Sequence, residues 1–193
     1  MTAISRTGNK HEVGSVHGRF QPPHLGHQEY ILKAMEICEF LWIGIARPDI
    51  RESLPCDVAK HRASKASNPL TYFERISIIK EMLLECGKTQ DQFGFVPFPI
   101  DQPDRLPDFL PISIPCFTTI YDQWNRHKVN ELKRFGYRVE VLWEREEKKF
   151  SGHLIRESIA QSSGSWGNMV PPATRRAIAD LDIRGRLLRL SSE

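Results

Sequence analysis

The sequence predicts an α/β protein, a Rossmann-like doubly wound parallel sheet with helices on both faces. Three observations predict it. Val13 to His17 is an apolar run that ends in a Gly/Pro turn, and Leu25 to Glu39 then carries Tyr30, Ile31, Ala34, Met35 and Cys38 at helical spacing. Phe40 to Ala46 (FLWIGIA) is an unbroken apolar run of strand length. Strand, helix and strand in so short a span is a βαβ unit, which closes right-handed on a parallel sheet. Ligands of such sheets bind beyond the carboxyl ends of the strands.

The other elements follow in order. Residues 1–12 are polar and read as a loose arm. Arg47 to Asn68 shows no period, and its basic stretch, Lys60-His61-Arg62-Ala63-Ser64-Lys65, fits either a mobile loop or a phosphate-closing lid. Thr71 and Glu74 stand at capping-box spacing, so a helix starts at Thr71, carries Phe73, Ile76, Ile79, Lys80 and Leu83 at helical spacing, and stops at Gly87. Phe93 to Ile100 is a strand and its exit, and Leu106 to Leu110 a short helix in a proline-rich stretch. Phe117 to Tyr121 is a strand, and Asn125 to Phe135 a basic helix stopped by Gly136. Arg138 to Trp143 alternates polar and apolar residues, as a strand near an edge would. Ser151 caps a helix to Gln161 whose buried stripe is Leu154, Ile155 and Ile159. Ser162 to Asn168 is a loop, and Pro171 opens a helix over Pro172 to Asp180. One domain, 13–180, is expected. The tail, 181–193, alternates Arg and Leu and suits either a helix on that domain or an oligomer contact.

Composition narrows the function. The 193 residues carry 27 basic and 24 acidic side chains, a net charge of +3. That suits a phosphorylated substrate and gives no case for nucleic acid. The four cysteines include no CxxC pair, the start of the chain has no apolar signal-peptide core, and no run is long enough to span a membrane. A reduced, cytoplasmic protein is expected.

The chemistry concentrates in His17-Gly18-Arg19-Phe20-Gln21-Pro22-Pro23-His24-Leu25-Gly26-His27. His24 and His27 lie three apart at a helix start, where unpaired backbone N–H groups and the helix dipole favour an anion. Arg19 adds a permanent cation. Zinc would ask for i, i+4 spacing and a third ligand, and a surface pair would need no such turn. The surrounding GRFQPPH favours phosphate, held while charge builds in a displacement at phosphorus.

This stretch resembles the signature of the HxGH nucleotidylyltransferases, most closely the archaeal-type nicotinamide-mononucleotide adenylyltransferases. Phe150-Ser151-Gly152-His153-Leu154-Ile155-Arg156 resembles their second phosphate motif, SGTxIR, and Asn68 to Arg75 their NPFTxxER. The resemblance implies that His24 and His27 contact a triphosphate, His27 at the α-phosphate, with Arg19 and Arg156 offsetting charge. It implies nucleotide binding around Gly18, Phe20, Gly26, Trp124 and Asn125, and a β,γ-phosphate cradle at Ser151, Gly152 and His153. Mg²⁺ would arrive with the NTP, and the enzyme would form a homo-oligomer. Arg75 would face the phosphates or form a surface ion pair.

Adenylyl transfer from ATP to nicotinamide mononucleotide, giving NAD and pyrophosphate, is the function these likenesses favour. Three departures lie on the substrate side. His153 replaces a hydroxyl. Asp122-Gln123-Trp124-Asn125 replaces a small Ser-Gly-Asn, and Trp124 would either stack on a ring or fill core. The segment from Asp104 to Leu110 lacks the family's tryptophan. The last two favour a second reading, a CTP-dependent cytidylyltransferase acting on a small phosphate or phosphonate. A third is a nucleotide-binding regulator without catalysis.

Overall fold

The computed structural model describes residues 10–49 and 64–191. Residues 50–63, with most of the expected lid or loop, Lys60 to Ala63 of its basic stretch, and Cys56, lie outside the described residues, as does most of the expected N-terminal arm.

Five parallel strands form the sheet in the order β3-β2-β1-β4-β5: β1 (His11–Gly18), β2 (Cys38–Ala46), β3 (Phe93–Phe98), β4 (Cys116–Ile120) and β5 (Val139–Glu144). β1 pairs with β2 from His11↔Cys38 to Gly18↔Ile45, and on its other side with β4. The strand order therefore reverses direction at β1 and β4, which opens a crevice beyond their carboxyl ends. β5 is an edge strand, which explains its half-wet alternation.

Helix α1 (Leu25–Ile37) runs into β2 without a loop, since Cys38 already begins the strand. The expected helix was two residues longer. β1 begins at His11, inside the stretch expected as an arm. Helix α3 (Gln123–Arg134) starts two residues earlier than expected because Asp122 caps it, accepting from Asn125 N at 2.8 Å. The proline-rich segment turns as a 3-10 helix over Pro103–Asp108, and 3-10 geometry also occupies Gly164–Asn168, where a loop was expected.

Packing corrects the expected burial of Leu154 and shows which face of the helix that follows Thr71 is covered. Phe73 is 75% exposed and Leu154 57% exposed. In α2 (Tyr72–Glu85) the buried face runs through Arg75, Ile78, Ile79, Met82 and Leu83. In α4 (Gly152–Ala160) it runs through Ile155, Arg156, Ser158 and Ile159. In both helices an arginine holds a place that hydropathy assigns to an apolar neighbour. α5 (Pro172–Asp180) and α6 (Ile183–Ser191) bury Ile178, Ile183 and Leu187 with Ile155 and Ile159, so the C-terminal helices share an apolar cluster with α4. Arg186 of α6 binds both carboxylate oxygens of Glu74, at 2.7 and 2.9 Å. Among the described residues no helix is long and apolar enough to cross a membrane.

Arg75 neither faces a phosphate nor sits in a surface pair. It is fully buried and donates to four carbonyls: Thr71 at 3.1 Å, Arg19 at 2.9 Å, Ala46 at 2.7 Å and Arg47 at 2.8 Å. Burial pushes its pKa down to about 10, which leaves it charged at neutral pH. One planar cation thus ties α2 to the segments that follow β1 and β2. Arg75→Met should cost about 3 kcal/mol or more in urea denaturation, because buried carbonyls lose their donors. Arg75→Lys should recover little of it, as one ammonium cannot span those carbonyls.

Candidate active site

Beyond the carboxyl ends of β1 and β4 lies a cleft of about 860 Å³. The twelve residues singled out from the sequence all border it. So do seven basic side chains against three carboxylates. Two of those carboxylates are paired within the cleft, Asp101 with Arg47 at 3.0 Å and Glu29 with Arg145 at 2.7 Å. The cleft therefore carries a net positive charge suited to a polyanion.

The β1–α1 turn is held tightly. Phe20 has φ of 54°, a left-handed conformation that side chains other than glycine adopt at a cost. Its neighbours hold it there. Gln21 exchanges two hydrogen bonds with the backbone of Leu70, at 2.8 and 2.9 Å, and Arg75 grips Arg19 O. The Phe20 ring is buried, with its edge toward His27 at 4.8 Å between centroids. Gly18 leaves room for that ring, since a Cβ there would meet it at 2.9 Å.

His24 is the N-cap of α1, and the two imidazoles cap each other's backbone. His27 N donates to His24 Nδ1 and His24 N donates to His27 Nδ1, each at 3.3 Å, and the rings stack 3.6 Å apart. Gly26 fits beneath, where a Cβ would come within 3.3 Å of the His24 ring. With both Nδ1 atoms accepting, the proton of each neutral ring sits on Nε2. Burial is the main cause that lowers both pKa values, His24 to about 3 and His27 well below 6.5; Lys148 lowers both further, and Arg19 lowers His27. Both rings are therefore neutral donors at pH 7.

This changes the anion-binding argument at α1. Its first N–H groups are largely taken: Leu25 N by Met169 O at 3.0 Å and His27 N by His24. The imidazoles stand where open amides were expected. At α4 the reverse holds. Ser151 is the N-cap residue, yet its hydroxyl makes no capping bond, so this is the more open helix start.

Arg156 brings the two motifs together. Its Nη1 donates to Gln21 O at 2.6 Å, across the cleft floor. Gly152 approaches the same carbonyl so closely that a Cβ would lie 2.9 Å from Gln21 O. His153 lies at the rim, mostly exposed and 3.5 Å from Glu157, so its ring is shared with a surface carboxylate. Trp124 is half-buried on the cleft wall and belongs to none of the apolar clusters. Asn125 Oδ1 accepts from Tyr121 N at 3.1 Å and holds the β4–α3 turn.

No role was read from the sequence for Lys128, Lys148 and Lys149, nor a separate one for His17 at the head of the first motif, and all four also border the cleft. Lys148 and Lys149 precede Phe150 and Ser151 directly, and a basic pair beside a phosphate motif was a usable signal. Lys128 carried none, and His17 was marked only by its place in the first motif, since only the fold turns the two to the same cavity.

Two variants test this geometry. Gly152→Ala should lower stability by about 1–3 kcal/mol, as overpacking does, and should reduce turnover, because the new methyl must push α4 from Gln21 O. For His24 the folded pKa, about 3, lies below its unfolded 6.5, so unfolding takes up a proton between those values. Its contribution is full above pH 6.5 and fades as pH falls toward 3, at up to about 1.4 kcal/mol per pH unit. His24→Asn keeps a capping side chain but no titration, so its urea midpoint should fall less steeply on acidification.

No family model matches the chain. It is 38% identical over 175 residues to the phosphonoformate cytidylyltransferase of Streptomyces viridochromogenes, covering 91% of this chain and 95% of that one. It is 26% identical over 169 residues to the nicotinamide-nucleotide adenylyltransferase of Saccharolobus solfataricus, covering 87% and 89%. Its fold matches a bifunctional NMN adenylyltransferase/ADP ribose pyrophosphatase from Francisella tularensis with a TM-score of 0.67 at 15% identity. That match covers 93% of this chain and 52% of the bifunctional one, so the chain spans about half its length. By its likeness to the Streptomyces enzyme over nearly the whole of both chains, the protein belongs to the nucleotidylyltransferases, enzymes of the cytidylyltransferase and NMN adenylyltransferase kind.

Proposed function

We propose that this nucleotidylyltransferase moves CMP from CTP to a small phosphonate or phosphate acceptor and releases pyrophosphate. The observation that carries the reading is the 38% identity to a phosphonoformate cytidylyltransferase, against 26% to the adenylyltransferase of Saccharolobus. The cleft supports it. Leu106 and Leu110 of the proline-rich segment are buried with Phe98 and Tyr137, and β3 exits into the cleft through Ile100 and Asp101. No tryptophan stands between residues 97 and 115 to plate a pyridine ring. The cleft residues that follow β3, Ile100 and Asp101, bring no aromatic ring to stack on a nicotinamide. This reverses the preference drawn from the motifs alone.

The chemistry is a displacement at the α-phosphorus. An acceptor oxygen forms the new P–O bond while the bond to the β-phosphate oxygen breaks, and pyrophosphate leaves with that electron pair. His24 and His27 donate Nε2–H to the non-bridging oxygens, where charge accumulates. Arg19 and Lys148 offset that charge. Arg156 and the start of α4 hold the β- and γ-phosphates. Mg²⁺ carried by the triphosphate would supply further charge neutralisation there, and no dense carboxylate cluster of the protein would be required to hold it.

ATP with nicotinamide mononucleotide is the second reading, supported by the GRFQPPH and NPLTYFER likenesses. Pyrophosphate release measured with each NTP against phosphonoformate, nicotinamide mononucleotide and nicotinate mononucleotide separates them. CTP with phosphonoformate should turn over fastest. Turnover with ATP and nicotinamide mononucleotide alone would transfer the assignment to the second reading, and tight NTP binding without release would leave a non-catalytic regulator. His27→Ala should lower kcat about 10²-fold or more with the fold intact, as loss of a transition-state donor does.

A further inference from the structure

His17 has no part in the phosphate machinery, and its surroundings are unusual. It is the penultimate residue of β1, 4% exposed, with its ring stacked on Phe98 at 4.3 Å and 4° between planes. It borders the cleft with both ring nitrogens buried, and neither has a hydrogen-bond partner among the described residues. A buried polar group without a partner costs free energy, and a phenylalanine would stack on Phe98 without that cost. The imidazole therefore supplies something that packing does not require.

Its position indicates what. His17 rises from the face of the sheet that carries Phe98, whereas His24, His27 and Arg156 reach the cleft from the β1–α1 turn and α4. Lys128, half-buried on α3, borders the same cavity, and its charge acts on His17. Asp101, the carboxylate that follows β3, is held by Arg47. A neutral ring donor beside an ammonium suits an anionic oxygen better than a base edge.

We infer that His17 determines acceptor specificity: a ring N–H binds the second acid group of a small phosphonate, and Lys128 supplies the balancing charge. The first acid group of that acceptor is then left to attack the nucleotide. The inference takes its acceptor chemistry from the proposed cytidylyl transfer and adds the subsite that would select for a second acid.

The test compares His17→Phe with the wild type, using CTP with phosphonoformate and with methylphosphonate, which lacks the second acid. His17→Phe keeps the stacking and should unfold at a temperature no lower than the wild type. Its KM for phosphonoformate should rise about 10- to 100-fold, the span of one hydrogen bond to a charged group, while KM for CTP stays within about twofold. The preference for phosphonoformate over methylphosphonate should fall by the same factor, and His17→Gln should restore part of it. If His17→Phe fails to fold, His17→Ala is read by that same preference ratio. An unchanged ratio, or a loss confined to KM for CTP, overturns the inference alone. A wild type that turns over no phosphonate overturns the cytidylyl reading and the inference with it.

Discussion

The site depends on one buried cation. Arg75 holds the carbonyls of Arg19, Ala46 and Arg47, which lie where the chain leaves β1 and β2. Those exits would otherwise splay, since three carbonyls pointing into a dry interior repel one another and need donors. Only a planar group with several N–H bonds satisfies all of them from one helix position. With the exits fixed, Phe20 can keep its left-handed backbone and His24 can cap α1. Arg156 acts similarly from the other side, through Gln21 O. Two buried arginines thus hold the β1–α1 turn by its backbone, one from α2 and one from α4.

That arrangement gives the histidines an unusual electrostatic setting. Buried imidazoles beside Lys148 and Arg19 resist protonation. Each is locked as an Nε2–H donor by the other's backbone. A neutral donor with a fixed proton needs no reorganisation as negative charge grows on a phosphate, and preorganisation of that kind gives electrostatic catalysis its size. The permanent charges stand around the histidines, on arginine and lysine, where they can attract a polyanion without titrating near neutral pH.

Much of this was legible in the chain. The alternation of apolar strands with periodic helices gave the parallel sheet, because strand and helix periods are local properties. Thr71 with Glu74 announced the start of α2 through a bond pair three residues apart. The two stretches that meet at the cleft stood out because a helix start suited to an anion needs particular residues close together in sequence. Local physics also misled at Leu154: helical spacing identifies a face but not which face the neighbouring elements cover.

By itself, then, the sequence determined the fold class, the order of elements and the set of residues, His24, His27, Arg19 and Arg156 among them, that border one cleft. Only the tertiary structure decided that Arg75 braces the site instead of lining it, that the helix start at α1 presents imidazoles in place of amides, and that His17 and Lys128 border one cavity. The reason is distance along the chain. Arg75 meets Arg19 and Ala46, and Arg156 meets Gln21, across separations of 56, 29 and 135 residues. No spacing rule reaches that far; such contacts exist only once the crossovers have brought the strand ends together.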